Sequence, residues 1–336
     1  MASAVENTCW VLTEGAAGME SQALGLAERL GLPIAVKRVR LGRPWRWLAP
    51  SALVSPFGRA EAGSSAIEPP WPRLVIGCGR QSIPFVRAIK RASGGQTLIV
   101  QCQHPRIDPA HFDLVVPPEH DLLAGPNVFP ILGSANRITS RRLAEARAHF
   151  AARYEPLRTP RLGVLVGGPS RSYSFGASEA DQLSRGLADL ARSHSLMLTT
   201  SRRTGADTVA KIAERLAGTA ADLFFGDGEN PYLGILAWAD AFLVTADSVN
   251  LACEAAATGK PVHIFPLSGG SGKFRRFHQG LERRGIAREF SGRIEQWSYT
   301  PLDETGRAAA RIQALLDEQA AASDITERGL EPRVAG

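Results

Sequence analysis

The sequence predicts an α/β protein built as two facing domains, each a parallel doubly wound sheet, with a C-terminal helix crossing back onto the first. Three observations carry that expectation. Short apolar runs rich in Val, Ile and Leu alternate with helical patterns almost throughout, as strands buried on both faces by crossover helices require. The alternation occurs twice, with a proline-containing break (Pro156, Pro160) in the middle. A chain of 336 residues also exceeds one ordinary core and suits two domains of about 150 residues each.

In order, Cys9–Thr13 reads as a strand, and Glu20–Leu30 as a helix with Ala23, Leu24, Ala27 and Leu30 on one face. Strands follow at Ile34–Val39 and Leu74–Gly77, then a helix at Ile83–Arg91 and strands at Thr97–Gln101 and Leu114–Val116. A helix around Ser140–Tyr154 ends the first domain, taken as residues 1–155. The second domain, residues 156–300, opens with the strand Leu162–Val166. It continues through helix Ser178–Arg192, strand Leu196–Thr199, helix Asp207–Leu216 and strand Leu223–Phe225. Helix Tyr232–Trp238, strand Ala241–Val244, helix Val249–Thr258 and strand Val262–Phe265 complete a second Rossmann-like series. The pattern Asp303–Gln319 supplies the returning helix, assigned to 301–319, and 320–336 reads as a frayed tail.

Composition narrows the function classes. No run approaches the roughly 20 apolar residues of a membrane span, and Met1 to Thr8 carries no basic region ahead of an apolar run, so no secretion signal is expected. Cys9, Cys78, Cys102 and Cys253 stand singly, which gives neither a metal knuckle nor a disulfide framework and favours a reduced, cytoplasmic compartment. No metal site is expected, because no His/Cys cluster or paired carboxylates have ligand spacing. Residues 1–160 hold 19 Lys and Arg against 12 Asp and Glu, whereas the remainder holds 20 against 21. The basic surplus attracts any polyanion, but the arginines are dispersed and no nucleic-acid-binding signature is present, so no nucleic acid is expected. Between Leu41 and Pro72 the rhythm breaks: six prolines surround Trp45, Trp47 and Leu48, with Arg43 and Arg46 beside them. Two readings stay open there. The tryptophans cover the bottom of the first sheet, or they dock peripherally on the inner face of an anionic membrane.

The motifs sit just past strands. Thr13-Glu14-Gly15-Ala16-Ala17-Gly18-Met19-Glu20 makes a strand-to-helix turn in which glycines permit close ligand approach. It lacks the full G-x-G-x-x-G, and no acidic residue ends the second strand, which counts against NAD. Gly167 and Gly168 open the second domain at the same topological place, as a turn or a backbone cradle for phosphate. Ser201, Arg202 and Arg203 follow the next strand, as capping hydroxyls on a solvated loop or as partners for a diphosphate. Most informative is Phe225 to Tyr232, containing Asp227 and Asn230, followed by Thr245-Ala246-Asp247-Ser248 and Glu254. Ser248 falls where a helix begins, able to cap it and to meet a phosphate oxygen at the positive end of the dipole. Glu254 lies nearly two turns on, on about the same face, where a carboxylate can accept both hydroxyls of a ribose.

These residues resemble the mitochondrial fission ELM1-like family, which is itself similar to GT-B glycosyltransferases. The resemblance rests on Asp227-Gly-Glu-Asn-Pro-Tyr232, Leu236-Ala-Trp-Ala-Asp240, Thr245 to Ser248, Glu254, and Thr258-Gly-Lys-Pro-Val262. Gly18 to Ala27 and Gly77-Cys-Gly-Arg80 extend it over most of residues 9–285. It implies a GT-B-like fold and metal-independent transfer of a sugar from a nucleotide-sugar, the donor substrate, with no other cofactor. The nucleotide lies on the second domain, on Gly167, Gly168, Ser201, Arg202, Asp227, Asn230, Thr245, Asp247, Ser248 and Glu254. The acceptor, a lipid-linked one included, lies on the first, beside Gly15, Gly18, Gly79 and Arg80. Several GT-B families place a His in the first glycine loop, where this chain has Met19. The base therefore stays open among Glu14, Glu20, His104 and Asp108. Plant relatives act as recruiters of a fission protein, so a non-catalytic adaptor is the alternative, and a sugar-nucleotide epimerase the third.

Overall fold

The computed structural model describes residues 5–51 and 55–329. The chain is α/β and forms two compact units. Unit 1 comprises residues 1–131, 135–137 and 304–336, and unit 2 comprises 132–134 and 138–303.

Unit 1 contains β1 (Glu6–Thr13), α1 (Ala17–Ala27), β2 (Ile34–Arg38), the single turn α2 (Trp45–Leu48), β3 (Pro72–Cys78), α3 (Ser82–Ala92), β4 (Leu98–Cys102) and β5 (Leu114–Val116). All strands pair in parallel in the order β2-β1-β3-β4-β5. Alternate residues point to opposite faces, so each central strand splits its apolar run between two cores. Cys9, Val11, Leu74, Ile76, Cys78 and Val100 face one cluster; Trp10, Leu12, Val75 and Ile99 face the other. The first cluster is closed by Ala23 and Leu26 of α1, and the second by Ile83, Phe85 and Ile89 of α3. The thiols of Cys9, Cys78 and Cys102 thus serve as small core groups. Burial pushes Cys9 up to about 12.

Unit 2 contains α4 (Ser140–His149), α5 (Ala151–Tyr154), β6 (Arg161–Val166), α6 (Ala177–Leu190), β7 (Ser195–Thr200), α7 (Ala206–Leu216) and β8 (Ala221–Phe224). After these come α8 (Tyr232–Trp238), β9 (Ala241–Thr245), α9 (Val249–Ala256), β10 (Val262–Phe265), α10 (Gly272–Arg283) and β11 (Ala287–Glu289). Its sheet, also parallel, runs β11-β10-β9-β6-β7-β8. The last helix, α11 (Glu304–Gly329), belongs to unit 1. Ala308, Ile312 and Leu316 complete the cluster over α1, and Thr305 Oγ1 exchanges hydrogen bonds with the backbone of Asn136 at 2.9 and 3.1 Å.

Three expectations are corrected. The units divide near residues 131–138 and not at 155, because α4 packs on α8. The Trp238 indole N–H donates to Arg147 O at 2.9 Å, and the Arg147 guanidinium lies 3.9 Å from the Trp238 ring centroid. Helix α11 continues ten residues past Gln319 to Gly329, as Ala320-Ala321-Ala322 favours. Helix α10 and strand β11 were missed. The helix buries only Phe277, Gly280 and Leu281, and Ala287-Arg288-Glu289 has no apolar run to betray a strand.

Candidate functional site

In a doubly wound sheet, ligands bind outside the carboxyl ends of the strands where the winding reverses. In unit 1 that switch lies between β1 and β3, flanked by the loops Glu14–Ala16 and Gly79–Gln81. In unit 2 it lies between β6 and β9, flanked by the loop from Gly167 and by Ala246–Ser248. The glycine motifs therefore stand at both switch points.

The unit 2 loops are bound to one another through Asp247, whose side chain is fully buried. It accepts hydrogen bonds from Gly168 N at 2.9 Å, Thr245 Oγ1 at 2.7 Å and Arg203 Nη2 at 2.8 Å. Gly167 N donates to Thr245 Oγ1 at 2.8 Å, Arg203 Nη1 donates to Gly168 O at 3.1 Å, and Thr204 Oγ1 donates to Gly167 O. The glycines are there for close approach: a Cβ on Gly167 would lie 2.3 Å from the Asp247 carboxylate, and one on Gly168 2.3 Å from Arg203 O. This corrects the expected cradle. The N–H groups of Gly167 and Gly168 are occupied within the fold, and Thr245 and Asp247 are their partners. Ser201 joins the same knot, its N–H donating to Thr204 Oγ1 at 3.0 Å. Both arginines are exposed, but Arg203 is tied to Asp247 and to the carbonyl of Gly168.

Ser248 caps α9, its Oγ accepting from Leu251 N at 3.3 Å. Six residues on, Glu254 is half-buried and accepts the hydroxyl hydrogen of Tyr232. Burial raises its carboxyl above the ordinary value, opposed by that hydrogen bond and by the Arg142 charge. A carboxylate so desolvated gains from any further hydroxyl donor. Asn230 is exposed, and its Oδ1 accepts from Tyr232 N at 3.0 Å, holding in place the residue that contacts Glu254; Asp227 lies exposed on the same loop.

One feature escaped the sequence reading. Ser268-Gly-Gly-Ser-Gly-Lys273 leads from β10 into α10, and Ser271 gives that helix no side-chain cap. Its first turns carry Lys273, Arg275 and Arg276. A glycine-rich loop after an apolar run was the available signal. A cavity of about 140 Å³ adjoins it, lined by Tyr173, Ala246, Pro266, Leu267 and His278 among others.

In unit 1, Glu14 accepts from Gln81 N at 2.8 Å and Gln81 Nε2 at 2.9 Å. Gly79, at φ +101°, lets the loops meet, since a Cβ there would lie 2.9 Å from both Glu14 Oε1 and Met19 Sδ. Glu14 and Gly15 line a cavity of about 430 Å³ with Arg38, Arg40, Glu61 and Ser64. Gly18 lies inside the first turn of α1. Arg80 is directed elsewhere: it donates to Ala49 O at 2.6 Å and Arg46 O at 3.1 Å, clamping α2.

The other base candidates are engaged. Arg38 forms a two-pronged ion pair with Glu20, both contacts at 2.9 Å, and holds its carboxyl below the ordinary value. His104 Nδ1 accepts from Arg106 N at 3.0 Å. In the neutral ring this places the proton on Nε2 and engages Nδ1 with a backbone donor. Asp108 caps a short 3₁₀ turn, accepting from Ala110 N at 2.9 Å. Glu14 is the one that lines the cavity of about 430 Å³.

Residues 17–316 match the family model described as mitochondrial fission ELM1. The mitochondrial fission protein ELM1 of Arabidopsis thaliana is 33% identical over 271 residues, covering 72% of this chain and 63% of that protein. The chain thus spans less than two thirds of that curated relative. An uncharacterized Rickettsia prowazekii protein, RP120, is 26% identical over 91% of this chain and 98% of its own. Among solved structures, UDP-GlcNAc 2-epimerase from Methanocaldococcus jannaschii aligns with TM-score 0.54 at 10% identity, covering 93% of this chain and 99% of that one. Os79 from O. sativa in complex with UDP aligns with TM-score 0.50 at 12% identity, covering 94% of each. At these identities the likeness is one of fold, GT-B-like, with two parallel sheets.

Proposed function

The chain belongs to the mitochondrial fission ELM1 family, and from that membership and its GT-B-like fold we propose that it transfers a sugar from a nucleotide-sugar to an acceptor hydroxyl. The observation that carries the reading is Glu254: a half-buried carboxylate in the second turn of a helix that starts at a switch point, accepting the Tyr232 hydroxyl hydrogen and raised by burial above its ordinary pKa. Ribose hydroxyls would add donors to that desolvated carboxylate. The diphosphate is assigned to Ser248 and the start of α9, to Arg202, and to the uncapped basic start of α10, where backbone N–H groups and guanidiniums favour an anion. Asp227 and Asn230 flank it from the loop after β8. Gly167, Gly168, Thr245, Asp247 and Ser201 take a positioning role, fixing the loops.

In the reaction, the acceptor oxygen forms a bond to the anomeric carbon as the bond to the diphosphate breaks. Glu14 takes the hydroxyl proton, and the nucleoside diphosphate leaves with its charge balanced by the helix starts and arginines. Direct displacement inverts the anomeric centre. All four base candidates, Glu14, Glu20, His104 and Asp108, are engaged within the fold, which favours a second reading, in which nucleotide is bound without turnover and the protein serves as an adaptor.

The test is a panel of nucleotide-sugars, with nucleoside diphosphate release and the melting temperature both measured. The transferase reading expects ligand-raised melting and release that Glu14→Gln abolishes while keeping the melting shift. Melting shifts without release for any acceptor would support the adaptor. An altered sugar on an intact nucleotide, formed without acceptor, would indicate epimerisation. No shift with any nucleotide would reject nucleotide binding altogether.

A further inference from the structure

We propose that the α2 turn of unit 1 is a docking surface for an anionic lipid bilayer. Single exposed apolar residues are ordinary; an adjacent Trp–Leu pair ringed by cations is not. Trp47 is 63% exposed and Leu48 54% exposed. The guanidiniums of Arg43 and Arg46 each lie 5.9 Å from the Trp47 ring centroid, and that of Arg59 lies 4.8 Å from Trp45. From Leu41 to Ala60 the sequence holds these three arginines and no acidic residue. The pair is also held outward by design of its mounting. Trp45 packs half-buried on the unit 1 core, Ala49 is buried, and Arg80 bonds the carbonyls of Arg46 and Ala49.

This chemistry fits a bilayer interface. A tryptophan beside arginines places its ring at the headgroups while the guanidiniums meet lipid phosphates. Among the described residues, the exposed apolar pair of this turn is too little for a stable protein interface, which takes about 800 Å² per partner. Among the described residues no helix is long and apolar enough to cross a membrane, so the contact is peripheral. The proposal stands without the transferase reading, because vesicle binding is measured with no donor present. If both hold, Arg80 and Gln81 tie the docking turn to Glu14 on one unit, where a lipid-borne acceptor would be met.

The experiment is sedimentation of the full chain with phosphatidylcholine vesicles, with and without phosphatidylglycerol, at low and high salt, beside a thermal melt. The wild type should bind the anionic vesicles at low salt, bind neutral ones at least about tenfold more weakly, and release at high salt. Trp47→Ser with Leu48→Ser should lose binding with an unchanged melt, since both side chains are exposed. Should that variant melt early, Arg43→Gln with Arg46→Gln decides instead, with a loss of about fivefold per arginine. A wild type that stays with the supernatant at low salt, or arginine variants that sediment as the wild type does, overturns the proposal.

Discussion

The carboxylate of Glu254 ties stability to proposed function. Its folded pKa is raised by burial above the ordinary 4.5, so the folded state favours the protonated form. That contribution is fully present below the unfolded value and is lost as pH rises through the higher folded one. Glu254→Gln removes the loss and can still accept the Tyr232 hydroxyl hydrogen. The variant should melt above wild type at neutral pH, the gap closing in acid, yet respond less to nucleotide. Melting curves across pH, with and without uridine diphosphate, check both halves. A variant less stable than wild type at neutral pH would contradict the desolvation argument. Helix spacing gave the position of Glu254 in α9, six residues after Ser248; the partners of Gly167 and Gly168 were not legible. A glycine pair after a strand reads alike whether its N–H groups await a ligand or an aspartate eighty residues away. The same holds for Arg202 and Arg203, adjacent in sequence and both exposed, of which Arg203 is the one tied to Asp247.

Among the elements, the central strands were plain because runs buried on both faces leave continuous apolar sequence, as in β6 and β9. The short α2 turn and α10 were not, since neither shows a wide apolar stripe. The tryptophans of α2 divide: Trp45 packs on the core and Trp47 is exposed. Helix α11 shows how much one distant element supplies. Ile312 is fully buried against the α1 side of the unit 1 sheet. Ile312→Ala should cost about 2–4 kcal/mol, the transfer loss plus a cavity that the flanking strands fill poorly. Limited proteolysis under mild urea reads the location: fragments should arise first from residues 6–131, with unit 2 cut later. Equal cutting of both units would show that α11 stabilises more than the unit it packs on.

At the scale of the whole molecule, two doubly wound sheets were expected and are observed, whereas the division between them was displaced. The break near Pro156 and Pro160 is visible in sequence; the packing of α4 on α8, which makes it an internal loop of unit 2, is not. Among the described residues, no three His, Cys, Asp or Glu side chains gather in a metal-binding group. In the proposed function the diphosphate charge falls to arginines and helix starts, and on that reading nucleotide-induced stabilisation should survive EDTA. A shift that vanishes with chelator and returns with Mg²⁺ would redirect the assignment to a metal-bridged donor. The late arrival of α11 also orders the protein's synthesis. Unit 1 begins at the first strand but takes its closing helix from residues 304–329. On the ribosome, the nascent sheet β1–β5 must wait with one apolar face uncovered while all of unit 2 is made, so the half translated first is the half finished last. That interval, in which Cys9, Val11, Ile76 and Val100 lack part of their cover, is where a chaperone would be needed.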